Sequence, residues 1–304
     1  MNLRDTIKSV VREHLTTGHK AYGQCLTAVG WVGGTLPEMY EDQGMVEVSM
    51  ADVAAGGFVV GAALAGGRPM YIIRYQGFNW FNAPIILNYA CKSKEFWGRP
   101  CPLFVRSIAM EGAIGPVAGS SHHSLYFRMP GVKIVSPMTP LEYQKTYASF
   151  MSEEEVYYVS EHRGAYNNAE ELPDILHEKP DFVLLPISIT RFAAMEAARR
   201  LRESHGLHVS VVHQYQLKPY PMNAGGQVAA SRFGSLVIDD DYVDGIARSI
   251  GQRYHEAIPG CQPVFALGLD DRSAGFAAHL DNLPPSADLI VAFILSKCSE
   301  SRVA

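Results

Sequence analysis

Short β-rich apolar runs alternate with longer helical patterns along this chain, and that order leaves few folds open to it. MVEVSM, PMYIIRY, PLFVRSIAM, VKIVSP and VYYVSEH read as strands. Between them WFNAPIILNYACKSKEF and TPLEYQKTYASFM carry helical spacing. Strands separated by helices pair in parallel, with helices covering both faces of the sheet. After Arg163 the polar stretch GAYNNAEELPDILHEKPD, broken by prolines, reads as a linker. A second alternation follows: DFVLLPIS, a helix through SITRFAAMEAARRLRESHG, then HVSVVHQY, SLVIDDD, PVFALGL and a last helix SADLIVAFILSKC. The expected fold is therefore α/β in two domains, each a mostly parallel sheet with helices on both faces: 1–165, a linker over 166–180, and 181–304.

Several classes of function fall away on composition. A net charge of −5 over 304 residues, with no long basic run, gives no footprint for nucleic acid or anionic lipid. The first eighteen residues read as an amphipathic helix, with Leu3, Ile7, Val10, Val11 and Leu15 on one side, and lack the apolar core of a signal peptide. No run is long and apolar enough to span a bilayer. The five cysteines, at 25, 91, 101, 261 and 298, show neither CxxC nor metal-ligand spacing. They suit a reducing, cytoplasmic setting, and the charge leaves small molecules or other proteins as the expected partners.

Between Val48 and Pro69 one acid, Asp52, stands in a stretch otherwise uncharged until Arg68. This stretch follows one strand and precedes another, so its helix begins at the carboxyl edge of the sheet, where open α/β sheets bind ligands. Ser49-Met-Ala-Asp52 also fits a capping box, with Ser49 as N-cap and Asp52 at N3. Gly56, Gly57 and Gly61 each cost a helix on the order of 1 kcal/mol relative to Ala. Gly57, Gly61 and Ala65 share one face, which points to close packing against another backbone.

Asp52-x4-Gly57-Phe58-x-x-Gly61 resembles the Glu-x4-Gly-Φ-x-x-Gly pattern of the pyrimidine-binding domain in thiamine-diphosphate enzymes. GAALAGGRPM, ILNYACKSKEF, PGVKIVSPMTP, VYYVSEHRGAY and HVSVVHQYQLKPYP follow in the order found in the β subunit of the decarboxylating component of 2-oxo acid dehydrogenases. Transketolase shares that layout in its carboxyl-terminal half. The resemblance implies that Asp52 hydrogen-bonds the cofactor aminopyrimidine and is both catalytic and cofactor-binding, although it is one methylene shorter than the usual Glu. It implies that Tyr75, Phe78 and Phe81 surround that ring, a task suited to rigid aromatic faces. In the loop AGSSHHSLYF it implies a histidine that contacts substrate. Ser121-His122-His123 is similar to the Thr-His-Gln of transketolases, and His122-His123-Ser124 to the Gln-His-Ser of dehydrogenase β subunits. Their place in a loop argues against core packing for both histidines, and without a third ligand nearby they are not read as a metal site.

The family holds Mg²⁺ and the pyrophosphate on a Gly-Asp-Gly…Asn domain, and this chain contains no Gly-Asp-Gly. Asp239-Asp240-Asp241 reads instead as a solvated strand end. The implied cofactor is thiamine diphosphate, with Mg²⁺ held by an α-type partner subunit in an α2β2 heterotetramer. Three functions stay open: a β-type subunit of an enzyme that decarboxylates a 2-oxo acid and transfers the acyl or aldehyde unit; the carboxyl-terminal subunit of a split transketolase moving a ketol unit between sugars; and a non-catalytic partner with a degenerate site.

Overall fold

The computed structural model describes residues 1–111, 114–115 and 118–303. They form two compact units, the first of Met1–Glu171 with Gln216–Pro219, the second of Leu172–Tyr215 with Tyr220–Ala304. Elements are numbered in chain order.

Among the described residues the first unit carries a seven-stranded sheet. Its strands are β1 (Ala21–Gly23), β2 (Met45–Glu47), β3 (Met70–Ile73), β4 (Leu103–Ala109), β5 (Val132–Val135), β6 (Val156–His162) and β9 (Gln216–Lys218), ordered β2-β1-β3-β4-β6-β5-β9. Every pairing is parallel except that of β9 with β5. β4 and β6 are buried along their whole length, as expected of strands covered on both faces. β1 and β9, each only three residues long, were not anticipated as separate strands. Lys218 anchors β9 by donating from Nζ to the Phe127 and Met129 carbonyls.

The helices of this unit are α1 (Leu3–Thr16), α2 (Ala28–Gly34), α3 (Asp52–Leu64), α4 (Asn79–Ile85), α5 (Cys91–Trp97), α6 (Ser124–Phe127) and α7 (Pro140–Ser152). α1 buries Leu3, Ile7, Val10, Val11 and Leu15, the side anticipated from its spacing. α4 and α5 are joined by a π-helical turn over Ile86–Ala90, just after Pro84, which has no N–H to give the helix. α2 is unusual. Val29, Gly30, Trp31, Val32 and Gly33 all take φ between 53° and 65° with positive ψ, a left-handed turn. For non-glycine residues that hand costs about 1–2 kcal/mol each.

The second unit is a parallel four-stranded sheet ordered β11-β10-β7-β8, from β7 (Phe182–Pro186), β8 (Val209–Val211), β10 (Ser235–Tyr242) and β11 (Val264–Leu269). Its helices are α8 (Thr190–His205), α9 (Gly225–Ala230), α10 (Ile246–Ala257) and α11 (Ala287–Val303). α8 stops at Gly206, whose φ of 65° suits a residue without Cβ. Ala194, Ala197, Leu201, Ile290 and Ile294 from α8 and α11 pack on Phe182, Leu184, Leu236 and Ile238.

The acidic run Asp239-Asp240-Asp241 is not the solvated strand end expected. All three lie inside β10 and are buried. Each carboxylate finds a local donor: Asp239 Oδ1 takes the Asp240 N–H, Asp240 Oδ2 the Ser188 hydroxyl at 2.8 Å, and Asp241 Oδ1 the Tyr242 N–H. A run of charged letters does not disclose such partners. The five cysteines are free thiols, and burial pushes those of Cys91 and Cys101 up to about 12.

Candidate active site

The first turn of α3 decides what Asp52 does. The helix begins at Asp52 itself, with Ala51 as N-cap and no side-chain cap, so the expected capping box led by Ser49 is absent. Asp52 is instead held from the side. Asn82 Nδ2 donates to Asp52 Oδ1 at 2.9 Å and to the Phe78 carbonyl at 3.0 Å, while Asn82 Oδ1 accepts the Tyr71 hydroxyl at 2.6 Å. Tyr71 is buried at 1% exposure. Burial, and then the charge of Asp52, raise its pKa, so it stays a donor. Gly56 packs against this clasp, and a Cβ there would stand at contact distance, 3.4 Å, from Asn82 Oδ1. Asp52 Oδ2 has no hydrogen-bond partner among the described residues. The carboxylate is half-buried at a shallow depression walled by Ala51, Val53, Ala54 and Phe81.

The three aromatics divide. Phe81, half exposed, shares the Asp52 depression. Tyr75 lines a different cavity and touches Phe78 edge-on with ring centroids 5.9 Å apart. Phe78 bridges the two places, offering its ring to Tyr75 and its carbonyl to Asn82.

The histidine pair is less exposed than expected. His122 and His123 do lie outside regular structure, just before α6, yet both are buried, His122 at 8% exposure and His123 at 0%. A polar ladder beneath them explains why burial is tolerated. Ser107 on β4 and Ser160 on β6 are in register. Gln76 Nε2 donates to Ser160 Oγ at 2.7 Å and to the Ser107 carbonyl, and its Oε1 accepts the His122 backbone N–H at 2.6 Å. His123 Nδ1 lies 3.1 Å from Ser160 Oγ. Asn79 completes the ladder, donating to Ser107 Oγ and the Tyr158 hydroxyl and accepting from Tyr126. The ring of His122 instead meets Trp80 edge-on, centroids 6.1 Å apart. One glutamine side chain thus positions both histidines.

On the other face of β4 and β6, Arg106 and Glu161 form a fully buried bidentate pair at 2.7 and 2.9 Å. Glu161 also accepts the hydroxyls of Tyr143 and Tyr166, and Arg106 donates to Thr35 Oγ1 just past α2. Burial alone would lower the pKa of Arg106, but the Glu161 charge outweighs it and leaves it raised.

Sequence reasoning singled out Asp52, the aromatics and the histidines and passed over Gln76, Asn79, Asn82, Ser107 and Ser160, which hold them in place. For the first three the signal was present: the polar letters of RYQGFNWFN recur at positions 76, 79 and 82, a helical spacing of three that puts all three on one face.

Residues 10–168 match the model of the transketolase pyrimidine-binding domain. The 2-oxoisovalerate dehydrogenase subunit beta of Bacillus subtilis is 25% identical over 267 residues, covering 81% of this chain and 81% of that one. The beta subunit of the acetoin:2,6-dichlorophenolindophenol oxidoreductase of Cupriavidus necator is 25% identical over 255 residues, covering 78% and 74%. Among solved structures, a split gene transketolase in an inactive beta4 tetramer superposes with a TM-score of 0.76 over 98% of both chains, at 16% identity. That likeness speaks to the fold.

Proposed function

The chain belongs to the thiamine-diphosphate-dependent transketolase-like family, and on that premise we propose that it is the β-type subunit of a heteromeric enzyme that decarboxylates a 2-oxo acid and passes on the acyl or aldehyde unit. The observation that carries this reading is the Asp52 clasp. A carboxylate fixed by one oxygen, at the rim of an apolar-walled depression at a sheet's carboxyl edge, suits a heteroaromatic ring nitrogen better than it suits bulk water.

The donor set fits the pyrimidine half of thiamine diphosphate. Asp52 Oδ2 would accept from the ring nitrogen, and Phe81, with Phe78 behind it, would supply the flat apolar contact. When bound, the cofactor supplies the nucleophilic carbon that adds to a 2-oxo carbonyl and accepts the electron pair left by departing CO2. Asn82 and Tyr71 hold the carboxylate still, so that little reorganisation is needed when the proton at the ring nitrogen shifts. Of the two histidines, His122, which is slightly exposed and meets Trp80 edge-on, is proposed to meet the substrate, with Gln76 fixing its backbone.

Mg²⁺ and the pyrophosphate fall to an α-type partner in an α2β2 assembly. Support for a partner comes from the outer face of α3. A Cβ added at Gly57 or Gly61 would meet no neighbouring part of the chain within 4 Å, and Val53 and Phe58 beside them are more than half exposed. An apolar face of that kind is where soluble proteins associate. The relatives named above are themselves beta subunits. Ketol transfer of the transketolase type is the alternative, favoured by the Ser121-His122-His123 order.

Co-purification with a companion chain bearing Gly-Asp-Gly, followed by dye-coupled oxidation of a panel of 2-oxo acids, tests the assignment. Turnover of a 2-oxo acid that is lost in Asp52→Ala supports it. Turnover of ketose donors alone would move the chain to the transketolase reading, and saturable binding of Mg²⁺–thiamine diphosphate by this chain without a companion would end the split-site scheme.

A further inference from the structure

The polar ladder beneath the histidine pair has a direction, and it can be read from groups whose polarity is fixed. A backbone N–H only donates and a carbonyl only accepts. Gln76, fully buried, meets one of each: its Oε1 takes the His122 N–H at 2.6 Å, and its Nε2 gives to the Ser107 carbonyl at 3.2 Å. The amide therefore has a single orientation, because turning it over would set N–H against N–H and oxygen against oxygen. Asn79 Nδ2 donates to the Gln76 carbonyl at 2.7 Å, which fixes the turn that carries the amide.

The other Nε2 proton of Gln76 goes to Ser160 Oγ at 2.7 Å. That hydroxyl, on β6, is wholly buried. Having accepted from Gln76, it still has a proton of its own to place. His123 Nδ1, 3.1 Å away, is the one further partner of Ser160 Oγ among the described residues. Were Nδ1 to carry the imidazole proton, the Ser160 proton would be left buried without an acceptor, an arrangement folded proteins avoid. With the lone pair at Nδ1, every proton along the line finds an acceptor.

We infer that Gln76 and Ser160 are positioning residues that hold His123 in one tautomer, with Nδ1 accepting from the Ser160 hydroxyl and the ring proton on Nε2. The bond made behind an imidazole decides which nitrogen it presents in front. His123, at 0% exposure, is thus a fixed N–H donor at Nε2 and not a base at Nδ1. The same glutamine holds His122 by its backbone N–H, which sets the place of that residue without setting its tautomer. Two neighbouring histidines thereby acquire different chemistry from one amide. This division rests on the geometry of the ladder; its consequence for turnover, that proton uptake and release fall to His122, rests on the function proposed above.

The tautomer can be read in the full chain alone, without cofactor or companion, so the result does not depend on that function. With 15N in the histidine rings, two-bond 1H–15N correlations at about pH 8, well above the ordinary imidazole pKa, report which nitrogen is protonated. The His123 signals are those lost in His123→Gln. The Nε2–H form is expected in about tenfold excess or more, with Nδ1 displaced upfield of an unbonded pyridine-type nitrogen by the hydroxyl bond. Ser160→Ala should abolish that displacement and Ser160→Thr, which keeps a hydroxyl, should preserve it. Ser136→Ala removes another buried hydroxyl, one that bonds the Ser160 carbonyl, and should leave the Nδ1 signal where it is. A wild-type His123 that is protonated at Nδ1 or evenly mixed overturns the proposal, whether or not any variant folds. An Nδ1 signal unmoved in Ser160→Ala overturns it too.

Discussion

Replacing Asn82 separates the clasp on Asp52 from every other account of that residue. In Asn82→Ala the Asp52 carboxylate loses its one side-chain donor, a charge-assisted bond worth about 1.5–3 kcal/mol. The Tyr71 hydroxyl, buried at 1% exposure, loses its acceptor, and an orphaned buried donor costs about 1–3 kcal/mol. Water can reach the half-buried Asp52 but has little access to Tyr71, so the second term should survive relaxation better than the first. A loss of about 3 kcal/mol is expected for Asn82→Ala. Tyr71→Phe removes the hydroxyl and leaves one Asn82 lone pair unused, for about 1 kcal/mol. Asp52→Ala should cost least, because Asn82 Nδ2 keeps the Phe78 carbonyl.

The cost to stability therefore rises in the order Asp52→Ala, Tyr71→Phe, Asn82→Ala, whereas the cost to turnover of the assembled enzyme should be greatest for Asp52→Ala, then Asn82→Ala, and least for Tyr71→Phe, which reaches the carboxylate only through Asn82. Urea unfolding of the chain measures the first order and steady-state decarboxylation the second. The Tyr71→Phe/Asn82→Ala double variant should be less destabilised than the sum of the singles, since both remove one bond. An Asn82→Ala cost below about 1 kcal/mol, or strict additivity in that cycle, would refute the clasp. A cap role for Asp52 would instead make Asp52→Ala cost about 0.5–2 kcal/mol with turnover untouched.

Other outcomes follow from the same structure. Gly61→Leu should leave the isolated chain as stable or more so, by up to about 1 kcal/mol from relief of a helical glycine, because its side chain would enter space empty of the chain's own atoms; assembly with the companion should fail, and an unchanged complex mass in light scattering would contradict this. Glu161→Gln leaves Arg106 buried without its counter-charge and should cost about 3–5 kcal/mol in urea unfolding. Burial, and then His19, lower the pKa of His14 to about 4, while burial, and then Arg191, lower that of His213 to about 3. The unfolded chain thus binds protons on these residues first as pH falls below 6.5, and stability should decline from there toward pH 4 and, for His213, below it, by up to about 3 kcal/mol for His14. Urea midpoints measured across that range should fall more gently in His14→Gln, and an equal slope would show that His14 stays solvated in the folded state.

The pattern of strands and helices was legible because period and length are local properties. α1 and α8 needed only apolar spacing and, for α8, a terminal glycine. β1 and β9 were not legible, since three residues carry too little pattern and their pairing is decided by distant partners: β9 is held at the sheet edge by Lys218, which reaches the Phe127 carbonyl far back in the chain. The site followed the same division. Asp52 stood out as a charge in an uncharged helix, but whether it capped that helix depended on where the first turn began, and Ala51 rather than Ser49 took the cap. The burial of Asp240 and of His123 rests on the Ser188 and Ser160 hydroxyls, placed by tertiary structure, to which residue type gives no guide.

The clasp also bears on the missing methylene. A carboxylate at the first residue of a helix points back past the helix start, and a longer acid reaches further from α3 at the expense of more rotamers to freeze. Asp52 gives up reach and gains definition: its one fixed oxygen is set by Asn82, which is set in turn by a tyrosine inside the sheet. Fixing a short acid in this way moves the demand for contact onto the ligand's position: under the proposed function the ring would have to sit closer to α3 than a glutamate would require. The small side chains at that spot, Ala51, Ala54 and Gly57, leave that approach open. A shorter acid, a small-residue helix face and an amide clasp are therefore consistent with one another, and each alone would leave the carboxylate either loose or out of reach.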